Sequence, residues 1–262
     1  MMDIIVCIKQ VVAGDQVKID PRTYSLVRSA AFSHINPLDL FALDMAVRLK
    51  EEHSGSITAL TMGPTISEEV LWEALALGAD RAVLLSDKRF SGSDTLATSY
   101  VLGMGIRKIG RFDVILCGMR TTDGDTGQVG PQLAEELDLP HLSSVEKVEG
   151  ERGLFRIERV SDGFKEVVEV PAPALLTISS KGAVRLPSLV DIEDAFAQHS
   201  IECWNLEDLN ADPNKVGRFG SGTWVEELTP AAQKKSCAFI EGDPRQQART
   251  LLSKLIDKNL LS

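Results

Sequence analysis

Cysteine and histidine are scarce in this chain, four of each in 262 residues, and neither is clustered. Cys7, Cys117, Cys203 and Cys237 form no CxxC pair, and His34, His53, His141 and His199 form no HxxxH or related pattern. That spacing argues against a disulfide framework and a zinc site, and leaves the cysteines to be read as free, buried thiols. Long apolar runs are missing too: none approaches the roughly 20 residues that a membrane-spanning helix needs. The opening MMDIIVCIKQVV lacks the basic-then-apolar layout of a secretory leader, so a cytoplasmic protein without membrane insertion is expected. Basic charge is in deficit, 28 Lys and Arg against 38 Asp and Glu, for a formal net charge of −10. Such a balance disfavours binding to nucleic acid or to anionic membranes. Neither a Walker sequence nor GxGxxG occurs, and no Ser/His/Asp set, Cys/His set or singled-out pair of carboxylates offers catalytic machinery.

What is present has the make-up of an ordinary globular protein, 44% hydrophobic and 25% charged. Residues 4–11 (IIVCIKQV) read as a central strand, followed by a polar, broken excursion over 12–35. Asn36-Pro37 then pairs a good N-cap with a residue suited to the first helical position, and the apolar positions from Leu38 to Leu49 mark a helical face. Residues 56–62, 81–86 and 112–118 read as further strands. Helices open at Thr65 with Glu68 as a capping box, at Ser93-Asp94, and near Val129. Strands alternating with helices predict an α/β fold built on a doubly wound, mostly parallel sheet. After Pro140 the pattern shifts to alternating runs at 142–150, 154–160, 164–170 and 174–179, expected to extend or flank the sheet with some antiparallel pairing. Order looks weak from Pro187 to Pro230. A final helix over 245–258 carries Ala248, Leu251, Leu252, Leu255 and Ile256 on one stripe. The expected organisation is a nucleotide-binding α/β domain over 1–186 and a C-terminal arm with its helix over 187–262.

In an open parallel sheet ligands bind beyond the carboxyl ends of the strands, where strand order reverses. The segments that reach that edge are Cys7-Ile8-Lys9, Thr61 to Pro64 with Met62 and Gly63, Ser86 to Thr98, and Cys117-Gly118-Met119-Arg120. The last runs into Thr121–Gln132, TTDGDTGQVGPQ, the most unusual stretch of the chain. Gly118, Gly124, Gly127 and Gly130 permit positive φ or a close approach, and the amides before Val129 are suited to phosphate. Thr121, Thr122, Thr126 and Gln128 supply polar groups and Arg120 a fixed positive charge. Asp123 and Asp125 would repel phosphate and fit better as acceptors for ribose hydroxyls, an adenine amine or loop amides. Ser91–Ser99 adds hydroxyls around Asp94, Thr95 and Thr98, and Lys9 can pair with a phosphate or with an acid of the following loop. A solvated turn with an N-cap remains the simpler alternative for the glycine-rich stretch.

Taken together the motifs resemble the β subunit of electron-transferring flavoproteins over nearly the whole chain. The carriers are VCIKQV (6–11), KID (18–20), NPLDLFALDMAVRLKEEH (36–53), TMGP (61–64), EALALGADRAVLLSD (73–87), SDTLAT (93–98), DVILCGMRTTDGDTGQVGPQLAEELDLP (113–140) and RVSDGFKEVVEVPAPALLTI (159–178). The resemblance implies an adenine-nucleotide-binding fold related to universal stress proteins, plus a C-terminal arm that wraps an α subunit in a heterodimer. It implies a nucleotide lying against Cys7, Asn36 to Asp39, Met62 and the loop from Gly118 to Val129. DGDTGQVGPQ and SDTLAT resemble the members that bind FAD and bifurcate electrons. Members that only carry electrons hold AMP, with a loop resembling DDDxNQTGQ. FAD is therefore the implied cofactor and AMP its alternative. NADH is the implied donor, with one electron passing through the α-subunit FAD to an acyl-CoA or other flavin dehydrogenase and the other going to ferredoxin or flavodoxin. Arg120 is the candidate for electrostatic tuning of the flavin, against the plainer role of a loop salt bridge.

One region departs from the family. After RLPSL (185–189), where members usually show a basic run that docks dehydrogenases, no Lys or Arg occurs between Asp191 and Asp212. Asp191, Glu193, Asp194, Glu202, Glu207, Asp208 and Asp212 make the segment acidic instead, which implies an atypical partner or plain drift of a solvated stretch. A third functional reading, a nucleotide-sensing module without redox chemistry, is disfavoured by the TDGDTGQVG loop and the C-terminal arm.

Overall fold

A computed structural model describes residues 1–12, 33–151, 153–179, 184–226 and 237–261. The chain divides into two compact units, Met1–Glu226 and Glu227–Ser262. The first is built on a nine-stranded sheet. Its parallel strands are β1 (Asp3–Cys7), β4 (Ser56–Met62), β5 (Arg81–Leu85), β6 (Val114–Gly118), β10 (Ala174–Ile178) and β11 (Ile201–Trp204). β7 (His141–Glu151) pairs parallel with β10 and antiparallel with β8 (Leu154–Ser161), which pairs antiparallel with β9 (Phe164–Pro171). The order across the sheet is β11-β5-β4-β1-β6-β10-β7-β8-β9. The expected mixture of a parallel centre and an antiparallel flank is therefore present.

The central strands are apolar on both faces because helices cover both, as parallel sheets require. Ile4 and Val6 of β1, with Val114 and Leu116 of β6, face α1 (Pro37–His53) and α2 (Glu68–Ala76). The alternate residues Ile5, Cys7, Ile115 and Cys117 face α3 (Thr95–Ile109) and α4 (Val129–Leu137). This period of two follows from the pleat of a strand. α3 is capped as expected, with the Asp94 carboxylate accepting from the Ala97 amide.

Four local expectations change. Residues 4–11 are not one strand: β1 stops at Cys7, and after Ile8-Lys9 a short β2 (Gln10–Val12) pairs antiparallel with β3 (Ser33–Ile35). The excursion between these two strands, residues 13–32, lies outside the described residues, as does the KID motif. The Thr65–Glu68 capping box does not form, because Thr65–Ser67 wind into a 3-10 turn and α2 begins at Glu68 without a side-chain cap. The described part of the stretch after Pro187, up to Glu226, is ordered rather than weak. α5 (Leu189–Gln198) is closed by a capping box between Ser188 and Asp191, and Phe196 stacks on Trp72 of α2 at 4.5 Å. β11 then extends the sheet beside β5, with Arg81 and Glu202 paired across the two strands at 2.6 Å. A single helical turn, α6 (Gly217–Gly220), follows it. Turn-rich composition hides this order because its apolar anchors, Ala195, Trp204, Leu206 and Leu209, sit among acidic and turn-forming residues and follow no single repeat. Cysteine burial also divides: Cys7 and Cys117 are buried, whereas Cys203 and Cys237 are exposed.

In the second unit, α7 (Pro244–Asp257) starts at Asp243, whose carboxylate accepts from the Arg245 and Gln246 amides. Leu251, Leu252 and Ile256 of its apolar stripe are exposed. No helix among the described residues is long and apolar enough to cross a membrane.

Candidate functional site

Strand order reverses between β1 and β6: β4 and β5 lie to one side of β1, β6 and β10 to the other. Side chains and backbone at the carboxyl ends of β1, β4, β5 and β6 line a cavity of about 800 Å³. Asp39 in the first turn of α1 is part of its lining. Asn36 occupies the N-cap position but does not cap its own helix. Its side-chain amide donates to the Arg120 carbonyl at 2.9 Å, and its side-chain oxygen accepts from the Thr122 amide at 3.1 Å. Asp39 sits one turn on, only 4% exposed. One carboxylate oxygen accepts from the Lys9 amide at 2.8 Å, the other from the Gly118 amide at 3.1 Å. A single carboxylate thus clasps the two strand ends at the switch point. Burial pushes its pKa up to about 7, against the lowering effect of Asn36 and the two amides.

Gly118 is required here for space. A Cβ on it would lie 2.2 Å from Asp39 Oδ1 and 2.8 Å from the Asp39 backbone nitrogen. Gly127 meets a different demand, a φ of +63° where the loop turns into α4. Between them the loop neutralises its own acids. Lys9 reaches Asp123 at 2.7 Å, and Arg120 reaches Asp125 at 3.2 Å. Asp123 also accepts from the Gly124 amide at 2.7 Å, and despite partial burial the Lys9 ammonium holds it below the usual carboxylate range. Of the two roles open to Lys9, the structure has the loop acid; of the two open to Arg120, it has the loop salt bridge at the cavity rim.

The N-terminus of α4 has no side-chain cap. Gln128, at the cap position, instead accepts from the Thr95 hydroxyl at 3.0 Å and so ties α4 to α3. The first amides of α4 therefore have no side-chain acceptor, and an anion suits them. α3 is the opposite case: Asp94 is consumed by the Ala97 amide and by Thr223, which donates through both its amide at 2.9 Å and its hydroxyl at 3.0 Å.

Of the residues expected from the sequence, Cys7, Ile8, Lys9, Asp39, Met62, Gly63, Thr98, Cys117, Gly118, Met119, Arg120, Thr126, Gly127, Gln128 and Val129 line the cavity. Asn36, Asp94, Thr95, Thr122, Asp123, Gly124 and Asp125 do not; they brace the loop and the helix starts behind it, apart from Gly124, whose amide alone is engaged. Within the expected Ser86–Thr98 segment it is the turn after β5 that lines the cavity, through Asp87, Phe90, Ser91, Gly92 and Ser93, and Leu102 of α3 is added to them. Ser86–Thr98 reads from the sequence as a strand end, but its most conspicuous polar groups, Asp94 and Thr95, are not the ones at the wall. The local signal of that turn is Asp87, which caps the 3-10 turn Lys88–Phe90 by accepting from the Arg89 amide.

The family model for the electron transfer flavoprotein domain matches residues 23–209. An electron transfer flavoprotein subunit beta of Thermoanaerobacterium thermosaccharolyticum is 39% identical over 261 residues, covering 99% of this chain and 100% of the relative. The caffeyl-CoA reductase-Etf complex subunit CarD of Acetobacterium woodii is 40% identical over 265 residues, with 99% and 100% covered. Protein FixA of Sinorhizobium fredii is 42% identical over 245 residues, with 89% and 86% covered. On a domain match across most of its length and relatives of equal extent, this chain belongs to the electron transfer flavoprotein family, alongside its β subunits.

Proposed function

We propose that the chain binds FAD in the cavity at the β1–β6 switch point and works with an α subunit to pass electrons from NADH to a flavin dehydrogenase and to ferredoxin or flavodoxin. The observation that carries this reading is the cavity of about 800 Å³, towards the upper end of the roughly 300–1,000 Å³ typical of small-molecule sites. Phe90, Leu102, Met62 and Val129 give it apolar walls for a ring system, and the open amides of α4 suit a diphosphate. Both loop acids next to those amides are already paired with bases, so negative charge on a ligand is not opposed by free carboxylates. When bound, FAD supplies the redox chemistry. The chain's own part is to hold the ligand, to exclude water and to set the charge around it, with Arg120 as a fixed cation lining the cavity.

The test is the nucleotide released by denaturing the purified αβ complex. Two FAD per αβ pair and no AMP are expected, with NADH-dependent ferredoxin reduction as the activity that follows. One FAD with one AMP would overturn the reading in favour of a plain electron carrier.

The acidic helix α5 supports a dehydrogenase partner with a basic docking face. On the helix Leu189, Val190, Glu193 and Asp194 are exposed, as is Leu186 just before it. The name of the A. woodii relative places that protein in a complex with a reductase, which fits a partner held more permanently here. Reversing Glu193 and Asp194 to Lys, while keeping Asp191 for its capping box, is expected to weaken association with the dehydrogenase about tenfold or more at low salt. Calorimetric titration measures it; unchanged affinity at low ionic strength would exclude this face.

A further inference from the structure

Two thiols meet at the cavity lining, and the electron-transfer reading gives their sulfurs no chemistry, only contact with the nucleotide. Cys7 and Cys117 are register partners on the adjacent parallel strands β1 and β6. Register partners on neighbouring strands project from the same face, with their backbones about 4.8 Å apart. Both side chains belong to the α3/α4 side of the sheet, both are buried, and both line the cavity. The Cys117 thiol is pushed well above its ordinary pKa, first by a hydrogen bond with Cys7 and then by burial. The strand spacing falls inside the Cα separations of about 4.4–6.8 Å found where two sulfurs share a bond. These two are therefore a preformed dithiol, opening on the cavity of about 800 Å³. Cys203 lies on the edge strand β11 and Cys237 in the other compact unit, and both are exposed.

A protonated, buried thiol is a poor nucleophile towards oxidants, because the thiolate is the reactive form. A soft centre that makes two sulfur bonds is favoured differently, since the geometry of the second bond is already in place and its entropy need not be lost again. We propose that Cys7 and Cys117 form a binding site for a thiophilic centre that takes two sulfur bonds, such as a trivalent arsenical or Hg²⁺, and that this ligand and a nucleotide exclude one another from the cavity. With an organoarsenic oxide, two S–H bonds and the As–O bond break, two As–S bonds form, and one water leaves. With Hg²⁺, two protons are released and no electron moves. The exclusion rests on the cavity holding the nucleotide; the dithiol assignment does not.

The experiment uses the αβ complex, as purified and after removal of its nucleotides. It is treated with phenylarsine oxide and then washed with 2-mercaptoethanol, which strips arsenic from single thiols. One phenylarsenic per β chain is expected, resistant to the monothiol, released by dithiothreitol, and found by mass spectrometry on a cross-linked pair of peptides carrying Cys7 and Cys117. Cys7→Ser and Cys117→Ser should each abolish it, while Cys203→Ser and Cys237→Ser should not. Because a buried Ser variant can fail to fold, the cross-linked peptide from the unsubstituted chain decides the assignment. Arsenic on Cys203 or Cys237, or none surviving the monothiol, would overturn it. The nucleotide-loaded complex should label at least tenfold more slowly; equal rates in both forms would overturn the exclusion and leave the dithiol standing.

Discussion

Asp39→Asn is expected to destabilise the chain by about 2–3 kcal/mol at pH 5, and the difference from wild type should shrink as the pH rises through 7. The first part follows from hydrogen bonding. The Asp39 side chain accepts from two backbone amides, Lys9 at 2.8 Å and Gly118 at 3.1 Å, in a buried site. At pH 5 the protonated acid still offers a lone pair on each oxygen, whereas an asparagine must turn its NH₂ towards one of the amides, and a buried donor left without an acceptor costs about 1–3 kcal/mol. The second part follows from proton linkage. With a folded pKa of about 7 against an ordinary 3.8, the folded chain holds a proton on Asp39 that the unfolded chain has lost. That stabilisation is complete below about pH 4 and declines until the pH passes 7. Over such a window the loss from one buried group is up to about 4 kcal/mol, whereas the asparagine of the variant does not titrate. Urea denaturation of both proteins at pH 5 and pH 8 measures the gap; a gap that stays constant or widens with pH would contradict the clasp as described. Nucleotide affinity should fall about tenfold or more at either pH, since the same carboxylate fixes the amide of Gly118 at the cavity wall.

Gly118→Ala should be worse still, a loss of about 3–5 kcal/mol with the nucleotide content of the complex largely gone. The added methyl would fall 2.2 Å from Asp39 Oδ1 and 2.8 Å from both the Asp39 nitrogen and the Leu38 carbonyl carbon. Two of those atoms are backbone of α1, so relief requires lifting the first turn of the helix off the sheet rather than turning a side chain. That movement also releases Asn36 from Arg120 and Thr122, and with it the start of the loop. Gly124→Ala is the matched comparison. Its nearest neighbour would be Thr121 Oγ1 at 3.7 Å, and its φ is not among the positive ones. A change within about 0.5 kcal/mol is expected there. Thermal melts and released nucleotide for both variants measure the contrast, and equal effects would mean that the loop as a whole, and not the α1 contact, demands glycine.

The two glycines show how far the sequence can be read. All four loop glycines look alike as positions that permit unusual backbone, yet Gly127 answers to its own φ and Gly118 to a helix 79 positions away in the chain. Asn36 gives the same lesson, since its residue type and neighbour Pro37 specify a helix start and say nothing of Arg120 or Thr122. Asp123 and Asp125 are legible as acids unsuited to phosphate, whereas their partners Lys9 and Arg120 depend on how the loop folds over β1. Residue order alone specifies the alternation of strands and helices, the Asp94 cap, the strand ends that face the site and the family. Those are set by periodicities and caps acting within a few residues, which the run of side chains records directly. It takes the folded chain to show that β11 closes the sheet edge beside β5, that Asp39 clasps β1 to β6, and that Cys7 stands against Cys117. Each of these joins residues that burial and strand register bring together across the chain, and no local pattern carries that pairing.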